Sequence, residues 1–498
     1  MVKKILLLDV ELDKKSLAGQ LEKNWTHYPT GILYLAAVLN KEFPMIEVKV
    51  FHTPIYNDSI CELKKILTSY KPDLVGFRAL SIFKEQFFEH VFLCKTLLPE
   101  VFLVAGGPYP SISYNEILEK TPIDIVVMGE GEETIVEIVN SINDTGEISK
   151  NIQGTVVKKN QNIYKNAERK FIGDLDCIPF PDYSLIDINS YKGLTNHAFG
   201  KTDKCGYILS SRGCPYNCFY CHQLFGKKVR RRSPNNIVEE MKEKYYEFGI
   251  KEFVFLDDIF NVPLRTCKET LKLMLKDLPN DITLNFPNGL RADCIDFELV
   301  DLLGRCGMKS IALAVESASP CIQNLIGKRL DLDKAFKNID AISREFITTV
   351  FYMIGFPTET YEEAESTIEF AHSLKYVAQP VLSVLRVYEN TKIYDFLQPN
   401  DSQKEYIKKQ EMMALQTKLW DDLWFYGDVF DSKVVPLNSK LINKLRLKWV
   451  KSVMLNKERL NNANKILKHF LSEEEIQLFY KDMFDDDKID IKEILKEE

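Results

Sequence analysis

Ser210-Ser211-Arg212-Gly213-Cys214-Pro215-Tyr216-Asn217-Cys218-Phe219-Tyr220-Cys221 places three cysteines within eight residues. Three thiolates on one short loop are enough to hold three irons of a 4Fe–4S cluster, which leaves the fourth iron without a protein ligand. An electron-transfer cluster normally takes four cysteines. The open corner therefore points to chemistry at iron and not to electron relay. The competing reading is a Cys3His zinc site built from Cys214, Cys218, Cys221 and His222. Ligands adjacent at 221 and 222 would strain a tetrahedron, and zinc ribbons present two separated cysteine pairs.

The loop follows a strand-like run, Gly206–Ser210. Strands are predicted again near Phe253–Leu256, Thr283–Phe286, Ser310–Ala314, Thr348–Ile354 and Leu382–Arg386. Helices alternate with them near Asn235–Phe248, Leu264–Asp277, Glu298–Arg305, Leu332–Arg344 and Tyr361–Leu374. About six such units predict a partial (β/α)6 barrel, whose active site lies at the carboxyl ends of its strands. The cysteine loop stands at the first of those ends.

Upstream, strand signals at Lys4–Leu8, Ile46–Phe51, Leu74–Phe77, Val101–Ala105 and Ile123–Met128 alternate with helical signals at Thr30–Asn40, Ile60–Ser69, Glu85–Leu97 and Thr134–Ile142. This predicts a doubly wound parallel sheet. Two glycine turns fall beyond its strands: Gly106-Gly107-Pro108-Tyr109-Pro110-Ser111 and Gly129-Glu130-Gly131-Glu132. Glycine there lets a ligand approach the backbone, or merely makes a tight turn. The fold class is thus α/β, with a doubly wound domain over 1–150, a polar and proline-stiffened connector over 151–200, a partial barrel over 201–388 and a mainly helical cap over 389–498. In the cap, Trp420 and Trp424 share one face of a predicted helix Gln410–Phe425. The tail Phe484–Glu498 reads as a solvated helix.

Composition narrows the class further. The 498 residues are 45% hydrophobic, with 65 basic and 72 acidic side chains and a formal charge of −7. That describes a globular chain with no general attraction for nucleic acid or anionic membrane. No apolar stretch reaches the length of a membrane span. The N-terminal run is too short for a signal peptide and is broken by Asp9, so a cytoplasmic protein is expected. Eight further cysteines, Cys61, Cys94, Cys177, Cys205, Cys267, Cys294, Cys306 and Cys321, are scattered singly, as in a reducing compartment.

With Pro29-Thr30-Gly31-Ile32-Leu33-Tyr34-Leu35-Ala36-Ala37 ahead of the two glycine turns, residues 1–150 resemble the cobalamin-binding domain fused to many radical S-adenosylmethionine (SAM) enzymes. Cys-x3-Cys-x2-Cys after a strand, with Tyr220 before the third cysteine, resembles the radical SAM signature. The resemblance implies cluster ligands Cys214, Cys218 and Cys221. It also implies SAM contacts from Tyr220, Arg291, Glu316 and Ser317, and cobalamin contacts from Gly106, Gly107, Ser111, Gly129 and Gly131. Arg291 would grip the SAM carboxylate at two points, and Glu316-Ser317 would meet ribose hydroxyls. Asp257 and Asp258 end the second barrel strand and would face the same pocket. Gly355-Phe356-Pro357-Thr358-Glu359-Thr360 resembles the family's Gly-x-Pro-x-Glu-Thr turn, with Thr358 as a helix cap. No catalytic side chain beyond these is identified.

The resemblance further implies that one iron chelates SAM, whose reductive cleavage gives a 5′-deoxyadenosyl radical. One string of the cobalamin family is missing: Asp-x-His-x-x-Gly does not occur. His27, His52 and His90 are single histidines, and cobalamin is expected base-off with no histidine below cobalt. The function so implied is methylation of an unactivated carbon from methylcobalamin. The partners would be a small-molecule or peptide substrate and a reductant such as flavodoxin or ferredoxin. Alternatives are a cyclase or rearrangement enzyme on the same scaffold, a radical SAM enzyme with a degenerate N-terminal domain, and a cobalamin or iron–sulfur sensor. A methylthiotransferase would need three more cluster cysteines in its N-terminal domain. A peptide maturase would need cysteines after Cys321.

Overall fold

In the run Ile5-Leu6-Leu7-Leu8 no residue is more than 1% exposed, which makes this a strand covered on both faces. It is the centre of β1 (Lys4–Val10). The computed structural model describes residues 1–17, 26–159, 162–191, 204–221, 224–412 and 424–484. They fall into two units, 1–196 and 197–498.

In the first unit, β2 (Glu47–His52), β3 (Leu74–Ala79), β4 (Phe102–Gly106) and β5 (Ile125–Val127) join β1 in a parallel sheet ordered β2-β1-β3-β4-β5. Alternate residues feed two cores. Leu6, Leu8, Val10, Val75 and Phe77 enter one, and Ile5, Leu7, Leu74 and Val104 enter the other. Residues 151–165, read from sequence as polar connector, add β6 (Thr155–Lys159) and β7 (Asn162–Lys165) antiparallel to the β5 edge. Only Val156 and Val157 among their central residues are deeply apolar and buried, so the edge hairpin carries little periodic signal.

The second unit opens with β8 (Cys205–Ile208). A two-rung antiparallel ladder follows, β9 (Ser211–Arg212) with β10 (Arg230–Arg231). The strands β11 (Glu252–Phe255), β12 (Thr283–Leu290), β13 (Met308–Glu316), β14 (Ile347–Ile354) and β15 (Gln379–Val384) complete a six-stranded parallel sheet in chain order from β8. A helix separates each successive pair, as the sequence predicts for a partial barrel. Ser233, Asp296, Asp331 and Thr360 cap the helices that begin after them, each accepting a backbone N–H. Thr358 caps nothing; it sits at positive φ two residues earlier, and Thr360 forms the capping box.

The C-terminal segment is helical: Asp401–Met412, Ser439–Trp449, a π-helical turn Val450–Met454, Lys457–Phe470 and Glu473–Phe484. Fully buried Arg459 ties it together by donating to the carbonyls of Val377, Ala378, Val453 and Met454. Of the predicted helix Gln410–Phe425, residues 413–423 lie outside the described residues, Trp420 with them. So does the tail beyond Phe484. Trp424 stacks on Tyr406 at 5.7 Å between centroids. Among the described residues, no helix is long and apolar enough to cross a membrane.

Candidate active site

The cysteine loop is fixed from both ends. Gly213 has φ +90°, and a Cβ there would lie 2.6 Å from the Lys228 carbonyl oxygen, so glycine is required. The N–H of Gly213 donates to Asp258 Oδ2 at 3.2 Å, and that of Cys214 to the Gly226 carbonyl at 3.2 Å. Farther along, Phe219 N donates to Ile326 O at 3.0 Å, and Phe219 O accepts from Ile393 N at 3.1 Å. Asp257, buried, holds the loop's origin: it accepts from Ser210 N at 3.3 Å, from Ser210 Oγ at 2.7 Å and from Ser211 Oγ. Asp257 is thereby a structural brace, whereas Asp258 stands beside the thiols.

Desolvation by the surrounding chain pushes all three thiols above their ordinary range, Cys221 to about 12 with Cys218 and Cys214 adding to the effect, even though Cys214 and Cys218 are only half-buried and Cys221 is exposed. Three sulfurs that feel one another's charge are stable together as thiolates when cations sit among them. That is the chemistry of a metal or cluster ligand set. His222, the fourth ligand of the zinc alternative, lies outside the described residues.

Tyr220 packs its ring against Phe356 at 5.8 Å, and burial together with the negative charge of Glu316 raises its hydroxyl well above the ordinary range. Glu316 ends β13 at φ +68°, a conformation that a non-glycine residue rarely adopts. Its Oε1 lies 3.1 Å from Lys328 Nζ. Ser317 turns the other way. Its Oγ meets Thr367 Oγ1 at 3.3 Å and accepts from Ser319 N at 3.1 Å, so it braces the strand end. Arg291 is 8% exposed and heavily engaged. Nη1 donates to Lys328 O at 2.8 Å, Nη2 to Arg329 O at 3.1 Å and to Asp293 Oδ2 at 3.0 Å, and Nε lies 2.7 Å from Asp293 Oδ1. Its plane covers the Tyr216 ring of the cysteine loop at 4.1 Å. Asn261 in turn fixes the Arg291 backbone through bonds of 3.0 and 3.1 Å. Lys328 and Asn261 escape the sequence reading, because no spacing ties them to the cysteines, and Tyr216, although inside the cysteine loop, carries no local signal that Arg291 covers its ring. Only the clustered Gly327-Lys328-Arg329, with positive φ at Gly327 and Arg329, hints at a special turn.

In the first unit, one register row crosses the carboxyl ends of four strands: His52, Asp9, Arg78 and Gly106. Arg78 Nη1 pairs with Asp9 at 2.8 Å and with Glu11 at 3.6 Å. Gly107, at φ +85°, packs directly on Arg78, whose Cγ would lie 2.8 Å from a Cβ at that position. Gly106 and Gly131 are hemmed in by Val127 and Leu35, and Gly129 turns at φ +72° beside Phe171. Two buried hydroxyls beyond these strands have no partner among the described residues: Ser111 Oγ after β4 and Thr134 Oγ1 after β5. Unpartnered buried donors beside a glycine turn are what a polar ligand would satisfy. His52 bonds Tyr191 OH at 2.9 Å through Nδ1, with Nε2 3.8 Å from Glu11. His90 bonds Gln86 O and Ser59 Oγ. Both are packing residues.

Comparison with known proteins agrees with this geometry. A family model described as the radical SAM superfamily matches residues 208–371, and one described as the B12 binding domain matches residues 24–139. The chain is similar to an uncharacterised methyltransferase of Pyrococcus horikoshii, 29% identical over 75% of this chain and 79% of that protein. It is also similar to an anaerobic magnesium-protoporphyrin IX monomethyl ester cyclase of Rubrivivax gelatinosus, 23% identical over 93% of this chain and 81% of that one. The radical SAM methyltransferase TsrM from Kitasatospora setae, solved with cobalamin and a [4Fe-4S] cluster, shares the fold at a TM-score of 0.64 and 18% identity, over 82% of this chain and 75% of that chain. The chain is a radical SAM superfamily enzyme that carries a B12-binding domain ahead of its radical SAM domain.

Proposed function

We propose that this enzyme uses a 4Fe–4S cluster, SAM and cobalamin to methylate an unactivated carbon of a small-molecule or peptide substrate. The observation that carries the reading is that Cys214, Cys218 and Cys221 stand together on one braced loop that follows the first strand of a six-stranded parallel sheet, at its carboxyl end. When bound, the cluster supplies one-electron cleavage of SAM and cobalamin supplies the methyl group. Cys214, Cys218 and Cys221 hold the cluster, and their loop is kept rigid by Gly213, Asp257 and the Phe219 backbone. Glu316 accepts from Lys328, so its carboxylate is oriented before any ligand arrives. Asp258 offers its second oxygen to the same mouth. In the first unit, Ser111 and Thr134 hold unfilled hydroxyls for cobalamin, with Gly107 allowing close approach. An external one-electron reductant of flavodoxin or ferredoxin type completes the system.

A cyclase on the same scaffold is the second reading, favoured by the likeness to the Rubrivivax cyclase across 93% of this chain. The test is the full chain, purified and reconstituted without oxygen and supplied with dithionite and CD3-labelled SAM. The methylation reading expects near four irons per chain, 5′-deoxyadenosine, and a CD3 group in the product. A product with two fewer hydrogens and no label identifies the cyclase. The Cys218→Ala variant should make no 5′-deoxyadenosine. Should it still cleave SAM, the ligand assignment is wrong.

A further inference from the structure

Three segments of the chain pack their backbone on the cysteine loop, and each brings an exposed cation with it. Cys214 N donates to the Gly226 carbonyl at 3.2 Å, and Lys227 and Lys228 follow directly. A Cβ on Gly327 would lie 3.4 Å from the Asn217 carbonyl oxygen, and Arg329 stands just beyond. Phe219 O accepts from Ile393 N at 3.1 Å, and Lys392 comes immediately before it. With successive Cα atoms about 3.8 Å apart, all of these cations have their backbone within about 12 Å of the loop. Among the described residues, none of them forms an ion pair or a side-chain hydrogen bond. The exposed acids close by are mostly engaged: Asp258 accepts from Gly213 N and Asp331 from Lys334 N, which leaves Asp395.

A lone unpaired lysine is ordinary on a protein surface. Lys227, Lys228, Arg329 and Lys392 gathered around one loop are not ordinary in a chain of formal charge −7. Their field is opposite in sign to that of the whole molecule. An apolar spot belongs to the same surface. Phe219 of the loop meets Phe396 edge-on at 5.6 Å, and Phe396 is 47% exposed. Phe396 lies one turn from Lys392 on the helix Lys392–Leu397, so the two share a face. An apolar centre with a charged rim is the make-up of a protein–protein interface. The proposed chemistry needs one electron at the cluster, and a donor protein must bring its own redox centre up to the cysteine loop to supply it. An acidic donor is repelled by this chain as a whole and attracted at this face, which selects the productive encounter.

We propose that Lys227, Lys228, Arg329 and Lys392, with Phe396 among them, form the docking face for a small acidic electron carrier of flavodoxin type. The inference rests on the proposed use of a reducible cluster. In the docked pair the carrier's reduced flavin loses one electron and the oxidised cluster gains it. No proton moves, and no bond in this chain forms or breaks.

The test uses the full chain with its cluster reconstituted and photoreduced flavodoxin as donor. Cluster reduction is followed by stopped-flow absorbance and checked by the electron paramagnetic resonance (EPR) signal of the reduced cluster. At low salt, flavodoxin should reduce the Lys227→Glu/Lys392→Glu variant on the order of tenfold or more slowly than wild type, the scale of electrostatic steering. The gap should close in about 1 M salt, where the screening length falls to about 3 Å. Excess dithionite, which needs no docking, should reduce both proteins to the same extent. Lys227→Arg/Lys392→Arg keeps the charge and should keep the flavodoxin rate. Lys276→Glu/Lys465→Glu makes the same change of net charge on the outer helices Leu264–Asp277 and Lys457–Phe470, and should slow flavodoxin far less. Equal slowing by the two reversals, slowing that high salt does not relieve, or an unchanged flavodoxin rate in Lys227→Glu/Lys392→Glu each overturns the inference. So does a wild-type cluster that dithionite reduces and flavodoxin does not. If Lys227→Glu/Lys392→Glu fails to hold iron, Lys227→Gln/Lys392→Gln carries the same comparison with half the change in charge. A full cluster that dithionite reduces without any cleavage of SAM overturns the proposed function instead, a result separable from all of these.

Discussion

Glu359 is fully buried in the turn after β14, and burial raises its carboxyl to about 8. Its Oε2 accepts from the N–H groups of Gly355 and Phe356, while Oε1 has no partner. A carboxyl raised in the folded state favours folding while protonated. That contribution is whole below the unfolded value near 4.5 and is lost as pH rises through the folded value. Between pH 6 and 8.5 the wild type should therefore lose about 2–3 kcal/mol from this group, at 1.36 kcal/mol per pH unit over most of the window. Glu359→Gln keeps the oxygen that accepts the two N–H bonds and removes the ionisation. The variant should match the wild type within about 1 kcal/mol only near pH 4.5, a difference of one neutral buried group, and at pH 6 should already exceed it by about 2 kcal/mol. Its melting advantage should grow by about 5–10 °C between pH 6 and pH 8.5, at 2–4 °C per kcal/mol. The assay is thermal unfolding of both proteins across pH 5.5–8.5, with the difference between the curves as readout. Parallel curves would show that Glu359 does not titrate in this range, and the argument from desolvation would fall.

Three further outcomes follow from the geometry. Gly213→Ala forces an L-residue to φ +90° at a cost of about 1–3 kcal/mol and drives its Cβ against the Lys228 carbonyl; iron retained after reconstitution should fall by at least half, and full iron content would show that the loop tolerates a side chain. Gly107→Val, whose side chain meets Arg78, should lower cobalamin retained after gel filtration while the cluster absorbance stays unchanged; wild-type retention would remove the glycine turn from the cobalamin site. The EPR spectrum of the Co(II) form should show a base-off signal without nitrogen superhyperfine splitting, because His52 and His90 are held by Tyr191, Gln86 and Ser59; a nitrogen triplet would place a histidine below cobalt.

The layered α/β plan and the cysteine loop were legible because each is written locally. Runs such as Ile5-Leu6-Leu7-Leu8 and Val350–Ile354 carry strand signals in consecutive residues, and Cys-x3-Cys-x2-Cys is a spacing on one loop. The hairpin of β6 and β7 was not legible. An edge strand with one apolar pair has no period to detect, and its place is settled by the open β5 edge. Ser317 and Arg291 were legible as residues at strand ends and not as contacts. The direction of a side chain there depends on Thr367, Lys328, Arg329 and Asp293, which come from other helices and loops.

From the sequence alone came the alternation of parallel strands and helices, the cysteine set and the glycine turns, since these depend on neighbours a few residues apart. Only the tertiary structure brought Lys328 to Glu316, laid Arg291 over Tyr216, and aligned Asp9, His52, Arg78 and Gly106 in one row. Those juxtapositions join residues far apart in the chain. Strand register and the bracing of a strained turn create them, and neither leaves a local pattern in the sequence.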